Sequence, residues 1–94
     1  MYSQSVYKIP QGKLLKIHLE YNEKDRTITS IQIMGDFFAY PEEAVEVLET
    51  KLKHTTLTQT ALIQTIHTVI RDYNIQFVGL DVEGLTQGIL MCLP

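Results

Sequence analysis

Residues 13–21, with the sequence Lys13-Leu14-Leu15-Lys16-Ile17-His18-Leu19-Glu20-Tyr21, form the stretch that decides the fold. Apolar and polar side chains alternate along it. One face carries Leu15, Ile17, Leu19 and Tyr21, and the other carries Lys16, His18 and Glu20. This alternation predicts a half-buried β-strand, because successive side chains of a strand point to opposite faces of the sheet.

A second strand is predicted from Thr27 to Met34. It follows a polar segment at 22–26 whose asparagine and aspartate favour a turn. The apolar phase slips after Ile28, which predicts a β-bulge. The two strands are expected to form an antiparallel hairpin, and the segment before Pro10 adds a weaker edge strand.

The first helix is predicted to begin at Pro41, because proline suits the first helical position. Glu49 and Lys53 stand four residues apart within it and are expected to pair. Lys51, Lys53 and His54 close the helix with positive or ionisable groups, which complement the negative end of its dipole.

Two more helices are predicted further along the chain. The second begins at a cap formed by Thr56 or Thr58 and ends at Asn74, and its apolar residues repeat with a period near 3.6. Asp81 is expected to cap the third, which runs to about Met91.

Strands first and helices afterwards indicate an α+β domain. The predicted architecture is a small antiparallel β-sheet, made of the hairpin plus the edge strand and covered on one face by about three helices. A short extended piece at 75–78 separates the last two helices. Residues 1–94 are expected to form a single domain, and the start at Met1 favours a complete chain.

The composition narrows the classes of function. Hydrophobic residues make up 45% of the chain, enough for a core, and 8 basic against 11 acidic residues give a net charge of −3. No run of lysine and arginine marks a nucleic-acid site. There is no signal-peptide pattern and no apolar run that could span a bilayer, so the sequence predicts a cytoplasmic protein without a membrane partner.

The residues that most often carry chemistry are sparse. His18, His54 and His67 do not stand at metal-ligand spacing, and Cys92 is the only cysteine and lies in an apolar tail. No phosphate-binding loop or nucleophile elbow occurs. The chain is therefore not expected to be a complete enzyme, and we interpret these four residues as structural.

The turn Pro10-Gln11-Gly12-Lys13 allows two interpretations. A glycine turn that presents a lysine can offer a cation to a phosphate or carboxylate, and Lys8, Lys13 and Lys16 lie close together in an otherwise acidic chain. The same residues also make an ordinary solvated entry to a strand. Spacing alone favours the solvated turn.

The segment Gly35-Asp36-Phe37-Phe38-Ala39-Tyr40-Pro41 is an unusually dense aromatic cluster. Its aromatic side chains either fill the core or form a surface anchor for a partner protein, and the sequence favours neither. Asp36 has no partner residue that would make it an acid or a base, so catalysis ranks below both.

Two segments, in this order and spacing, resemble the C-terminal accessory domain of lipoate–protein ligases. They are Lys8-Ile9-Pro10-Gln11-Gly12-Lys13-Leu14 and Met34-Gly35-Asp36-Phe37-Phe38. The resemblance continues through Pro41-Glu42-Glu43, Leu48-Glu49 and Gly79-Leu80, so it covers essentially the whole chain.

The chain departs from the family pattern at two positions. The family usually carries a glycine where Gln11 stands in the turn, and often closes the first helix with a glycine where His54 stands. The first departure bears on the tightness of the turn and the second on the end of the helix.

In this family a large catalytic domain binds lipoate and ATP, forms lipoyl-adenylate and transfers the lipoyl group to a lysine of an acceptor protein. In some organisms, notably archaea, the accessory domain is a separate polypeptide. The resemblance implies that this chain is a non-catalytic accessory subunit of a two-protein ligase, needed with the catalytic subunit for ATP-dependent activation of lipoate. It also implies a similarity in fold to iron–sulfur scaffold and sulfur-acceptor proteins.

The resemblance also implies partners and contact residues. The catalytic subunit would bind this chain as a heterodimer, with a lipoyl-acceptor domain as a second partner. Lipoate, ATP and Mg²⁺ would bind in the complex, and none of them to this chain alone. The residues expected to face the catalytic subunit and its active site are Lys8, Pro10, Gly12, Lys13, Gly35, Asp36, Phe37 and Phe38.

Two rival functions stand beside this hypothesis. An iron–sulfur scaffold or sulfur acceptor on a related fold needs several cysteine ligands or one activated cysteine, and Cys92 supplies neither. A module that docks the acceptor or regulates the ligase, without a role in adenylation, is compatible with the sequence.

Overall fold

Three strands, β1 (Tyr2–Lys8), β2 (Leu14–Asn22) and β3 (Thr27–Gly35), form an antiparallel sheet in the order β1-β2-β3. The structure is a computed structural model that describes residues 1–94. It confirms the predicted hairpin and edge strand. The buried residues of β2 alternate with exposed or half-buried ones, so the apolar face chosen from the sequence is the face that packs on the core.

The predicted bulge lies between β2 and β3. Glu20 pairs with Ser30 and Tyr21 pairs with Ile28, which leaves Thr29 as the extra residue in β3. Because a bulge changes which side chains share a face, Ile28 reaches the same buried side as the later isoleucines of the strand. The irregular apolar spacing of this strand is thereby explained.

Helices α1 (Ala44–Lys51), α2 (Gln59–Asp72) and α3 (Val82–Leu90) cover one face of the sheet. Helix α1 packs against β3, α3 packs against β1 and β2, and α2 packs on the other two helices. Thr58 caps α2 through a hydrogen bond from Ala61 N, so of the two threonines considered it is the cap. None of the helices has the length and apolar character needed to cross a membrane.

The predicted start of the first helix at Pro41 is wrong. The chain stays extended through β4 (Phe38–Tyr40), which pairs antiparallel with β5 (Gln76–Val78). The helix begins only at Ala44, whose N–H donates to the carbonyl of Pro41. Pairing between two short strands that are distant in sequence overrides the local preference of proline for a helix start.

The predicted pair between Glu49 and Lys53 is also wrong. The carboxylate of Glu49 accepts a hydrogen bond from Ile33 N at 2.8 Å, and the single ion pair of the chain joins Arg71 to Asp72. β3 pairs with β2 on one side only, so its other edge exposes backbone donors. Glu49 satisfies one of them and ties α1 to the sheet.

We expect Glu49→Ala to lower the free energy of unfolding by about 1–2 kcal/mol, because it leaves the N–H of the buried Ile33 without its partner. Urea denaturation measures this change. The matched control is Lys53→Ala, which should stay within about 0.5 kcal/mol of the wild type. Equal losses in the two variants would instead support the helical pair.

Helix α3 lies close to the sheet. A β-carbon on Gly88 would stand 2.7 Å from Leu15 Cδ2, and the hydroxyl of Ser5 donates to the carbonyl of Gly88 at 2.7 Å. Asp81 caps this helix by accepting from Gly84 N at 2.6 Å, as the sequence predicted. The loop that precedes Asp81 is thereby held at the end of the sheet where β1 ends and β2 begins.

Candidate functional site

The turn between β1 and β2 is a compact backbone loop. Gly12 N donates to Ile9 O at 2.8 Å, and Ile9 N donates to Lys13 O at 3.1 Å. Gln11 has a φ of +59°. The side chain of Ile9 is buried in the core, while Lys13 is exposed at the other end of the turn.

The two lysines that flank this turn differ in what their ammonium groups contact. Lys8 Nζ donates to Gly12 O at 2.6 Å and to Ile9 O at 3.2 Å, so it closes the turn from one side. Lys13 Nζ makes no hydrogen bond or ion pair within the chain. Lys13 is therefore the cation of this turn that is available to a partner.

The Gly35-Asp36 turn joins directly onto the lysine turn. Asp36 Oδ1 accepts from Leu14 N at 2.9 Å, and Asp36 N donates to Leu14 O at 3.3 Å. A β-carbon on Gly35 would stand 2.3 Å from Leu14 O, so no side chain fits at this crossing. The structure thus brings the two segments of the resemblance together, and it gives the Asp36 carboxylate a structural partner.

We expect Asp36→Ala to cost about 1 kcal/mol of unfolding free energy, because Leu14 N loses its carboxylate acceptor at an exposed site. Asp36→Asn keeps an oxygen at the same place and should lie within about 0.5 kcal/mol of the wild type. Chemical denaturation of both variants checks this. A larger loss for Asp36→Asn than for Asp36→Ala would contradict the structural assignment.

The two adjacent phenylalanines have different environments. The sequence left open whether the aromatic residues fill the core or form a surface anchor, and one phenylalanine does each. Phe37 is half-buried and meets Phe77 edge to face, with ring centroids 6.2 Å apart. Phe38 is 61% exposed on the outer face of the β4–β5 ribbon, directly opposite Val78. Phe37 therefore packs against the core, and Phe38 is an exposed aromatic side chain on the surface.

The exposed face of the ribbon extends beyond Phe38. Tyr40 shares its side of β4 and is 56% exposed, and Val78 of β5 is 55% exposed. Val78 could not be recognised from the sequence, since a three-residue strand has too little pattern to show which face it presents. These three exposed apolar side chains form a patch that adjoins the surface of the two turns.

A third segment meets the two turns at Gly79. Its carbonyl accepts from Lys13 N at 3.1 Å, and a β-carbon on Gly12 would stand 3.0 Å from the same oxygen. Gly79 lies just before α3. In the sequence it stands out only as part of the resemblance to the ligase family. Gly79 has a positive φ of +88°, and a single glycine between two elements of secondary structure often indicates such a conformation.

Both departures from the family pattern fall where the backbone is left-handed. Gln11 has a φ of +59° and His54 has a φ of +71°, a region that glycine adopts without steric cost. The turn and the helix end therefore keep the glycine-type conformation without the glycine. Gln11 and His54 add backbone strain at these positions, and the path of the chain is the one that glycine would give.

Charge is concentrated around the turns. Lys8, Lys13 and Lys16 gather here in a chain whose net charge is −3. Lys16 lies between Val6 and Met34 on the face of the sheet that the helices leave bare. The Asp36 carboxylate beside the turns contributes one negative charge against these three positive charges, so the surface presents mainly positive charge.

A polar cleft of about 480 Å³ opens on the other side of the turn, beside Pro10. Asp81 and Glu83 contribute carboxylates to it, but Asp81 Oδ1 already accepts from Gly84 N. The cleft thus separates exposed Pro10 from α3. It contains none of the lysines.

The remaining reactive groups are dispersed. Burial raises the pKa of the Cys92 thiol, whose sulfur lies 3.8 Å from Gly88 O. A thiol with a raised pKa holds less of the thiolate that sulfur transfer and metal binding require. No group of three or more His, Cys, Asp or Glu side chains could hold a metal ion.

Comparison with known proteins finds one consistent group. The family described as bacterial lipoate protein ligase C-terminus matches residues 8–88. The lipoate-protein ligase A subunit 2 of Thermoplasma acidophilum is 32% identical over 92 residues, which is 95% of this chain and 87% of that protein.

The fold also matches a solved structure. Its source is an archaeal lipoylation system of Thermoplasma acidophilum, described as a bipartite lipoate protein ligase and its E2 lipoyl domain. The TM-score is 0.70 at 28% identity, with 95% of this chain and 94% of the matched chain covered.

Proposed function

The chain belongs to the family of lipoate protein ligase C-terminal domains, and from this premise we propose that it is the accessory subunit of a two-protein lipoate–protein ligase. Residues 1–94 act as one accessory domain. The chain is not catalytic alone, and it joins a catalytic subunit to activate lipoate with ATP. The acceptor of the lipoyl group is a lipoyl domain, like the E2 domain of the related archaeal system.

The contact with the catalytic subunit is made by what we call the junction surface. It consists of the two turns and the first residue of β4, namely Lys8, Pro10, Gly12, Lys13, Gly35, Asp36, Phe37 and Phe38. Backbone and carboxylate hydrogen bonds join the two turns through Leu14, so the backbone of this surface is preformed before it meets a partner. A preformed surface loses less conformational entropy on binding.

Within this surface, Phe38 is the anchor. It is exposed in the free chain, and Tyr40 and Val78 extend its apolar surroundings along the ribbon. Buried aromatic side chains dominate the binding energy of protein interfaces. The ribbon face therefore supplies affinity, while the half-buried Phe37 holds the ribbon on the core.

Lys13 carries the electrostatic part of the role. Its ammonium is exposed and unpaired, in contrast to that of Lys8. A lysine supplied by the accessory subunit can stabilise charge that develops on a phosphate during adenylation. Lipoate, ATP and Mg²⁺ are bound by the catalytic subunit, and this chain completes the site that acts on them.

The single observation that carries the proposal is the meeting of the two family segments at Leu14. Residues far apart in sequence form one surface there, with an unpaired cation and an exposed aromatic ring. An exposed aromatic ring beside an unpaired cation is typical of a surface that binds another protein.

Lipoylation of an acceptor lipoyl domain, followed by mass spectrometry, tests the proposal. With lipoate and ATP, we expect modification to require both subunits. With chemically prepared lipoyl-adenylate, the catalytic subunit alone should modify the acceptor, because the activation step is bypassed. A requirement for this chain in both experiments would indicate docking of the acceptor instead.

A further inference from the structure

Gly79 lies next to the junction surface and contacts Lys13, whose ammonium is unpaired. It lies between β5 and α3, with a φ of +88° that side chains rarely adopt. Its carbonyl accepts the hydrogen bond from Lys13 N at 3.1 Å. The backbone of Lys13 is therefore fixed by a residue from the opposite end of the chain.

The side chain of Lys13 lies against the same glycine. A β-carbon on Gly79 would stand 2.4 Å from Lys13 Cγ, 3.3 Å from Lys13 Cβ and 3.6 Å from Lys13 Cδ. The first of these distances is far inside van der Waals contact. The stem of Lys13 thus occupies the space that any side chain at position 79 would need.

The charged end of Lys13 contributes nothing to this placement. Lys13 Nζ has no partner in the chain, whereas Lys8 Nζ is held by two carbonyl oxygens. A free lysine side chain samples many rotamers, and contact along its first carbons reduces that freedom. The contact at Gly79 therefore restricts the first part of the Lys13 side chain, from which the ammonium projects.

We propose that Gly79 is a positioning residue that aims the Lys13 ammonium at the active site of the catalytic subunit. The inference rests on the proposed function, because it is the complex that gives the direction of this ammonium a role. Gly79 itself touches neither substrate nor reacting atoms. It acts through Lys13, by supplying a carbonyl acceptor and by leaving room for the side-chain stem.

Gly79→Ala is the direct test, with lipoate-dependent exchange of pyrophosphate into ATP as the readout in the assembled complex. We expect kcat to fall about tenfold, since a small misplacement of a positioned group is costly. The dissociation constant of the two subunits should change by less than about twofold, because the exposed anchor Phe38 is untouched. An unchanged kcat would overturn the proposal.

A double-variant comparison separates positioning from other effects. In a Lys13→Ala background, Gly79→Ala should cause no further loss of kcat, because the group that Gly79 positions is absent. A loss by the same factor in both backgrounds would overturn the proposal. The double variant should also unfold at a higher temperature than Gly79→Ala alone, since Lys13 Cγ and Cδ no longer oppose the new β-carbon.

Ile66→Val is the control for a general loss of stability. Ile66 is fully buried in α2, and shortening it lowers stability without changing the lysine turn. Its kcat in the complex should equal that of the wild type. If Ile66→Val lowered kcat as much as Gly79→Ala does, the effect of Gly79→Ala would be one of stability, and the proposal would fail.

NMR of the free wild-type chain decides the matter even if Gly79→Ala does not fold. We expect nuclear Overhauser effects between Gly79 Hα and Lys13 Hγ, and their absence would overturn the proposal whatever the activity. If they are present and the chain leaves exchange unchanged, the proposed function fails and the role of Gly79 fails with it. If exchange is stimulated but they are absent, only the positioning role fails.

Discussion

Lys13→Met is expected to reduce lipoate-dependent pyrophosphate exchange by the complex about 100-fold, the scale on which a single stabilising group acts in a transition state. Methionine keeps an unbranched stem that can lie along Gly79, and it removes the ammonium with its charge and its N–H donors. Lys13 Nζ has no partner within the chain, so folding and subunit binding should be unaffected. Exchange kinetics with saturating catalytic subunit measure the effect.

Lys24→Ala is the matched control for the change in net charge. Lys24 is exposed in the turn between β2 and β3, at the opposite end of the sheet from Lys13. It should leave exchange unchanged, whereas Lys13→Arg should retain more activity than Lys13→Met, because it keeps a positive charge on an unbranched stem. Full activity in Lys13→Met would contradict this role and would show that Lys13 is only a solvated residue of the turn.

Phe38→Ala is expected to weaken binding of the catalytic subunit by about 30-fold or more, the effect of removing an aromatic hot spot of 2 kcal/mol. Phe38 is 61% exposed in the free chain, so its removal should hardly change the unfolding temperature. Isothermal titration calorimetry of the two purified subunits gives the dissociation constant. At saturating subunit, exchange activity should largely recover.

Tyr2→Ala tests whether the position of Phe38 matters or only its exposure. Tyr2 is also 61% exposed, but it lies at the other end of β1, far from the lysine turn. Its replacement should change the dissociation constant by less than about twofold. Comparable losses in the two variants would mean that the contact also covers the bare face of the sheet, and Phe38 would then not be the specific anchor.

The parts of the fold that follow from local pattern could be predicted from the sequence. The alternation in β2 gave the buried face, and the phase slip after Ile28 gave the bulge. Asp81 marked the start of α3, because the cap of a helix depends on residues within one turn of it. These features depend on neighbours a few positions away.

Features that depend on residues distant in sequence could not be predicted from the sequence. The β4–β5 ribbon pairs two three-residue strands, which are too short to show a period. Its absence from the predicted fold led to the wrong helix start at Pro41. Glu49 was assigned a partner on its own helix, whereas its hydrogen bond crosses to β3. Local rules cannot choose between a helical neighbour and an unpaired sheet edge.

The candidate site shows the same division. The resemblance selected both turns, but their contact through Leu14 and the split between Phe37 and Phe38 appear only in three dimensions. Gly79 illustrates the limit most clearly. A glycine before a helix suggests a positive φ, but nothing in the sequence indicates that the stem of Lys13 lies against it.

The rate of lipoate-dependent pyrophosphate exchange by the catalytic subunit, measured with and without this chain, tests the central claim most directly. We predict very slow exchange by the catalytic subunit alone, and a rate that rises with added chain and saturates at one chain per catalytic subunit. The same rate with and without the chain, while the two proteins form a stable complex, would contradict a role in activation.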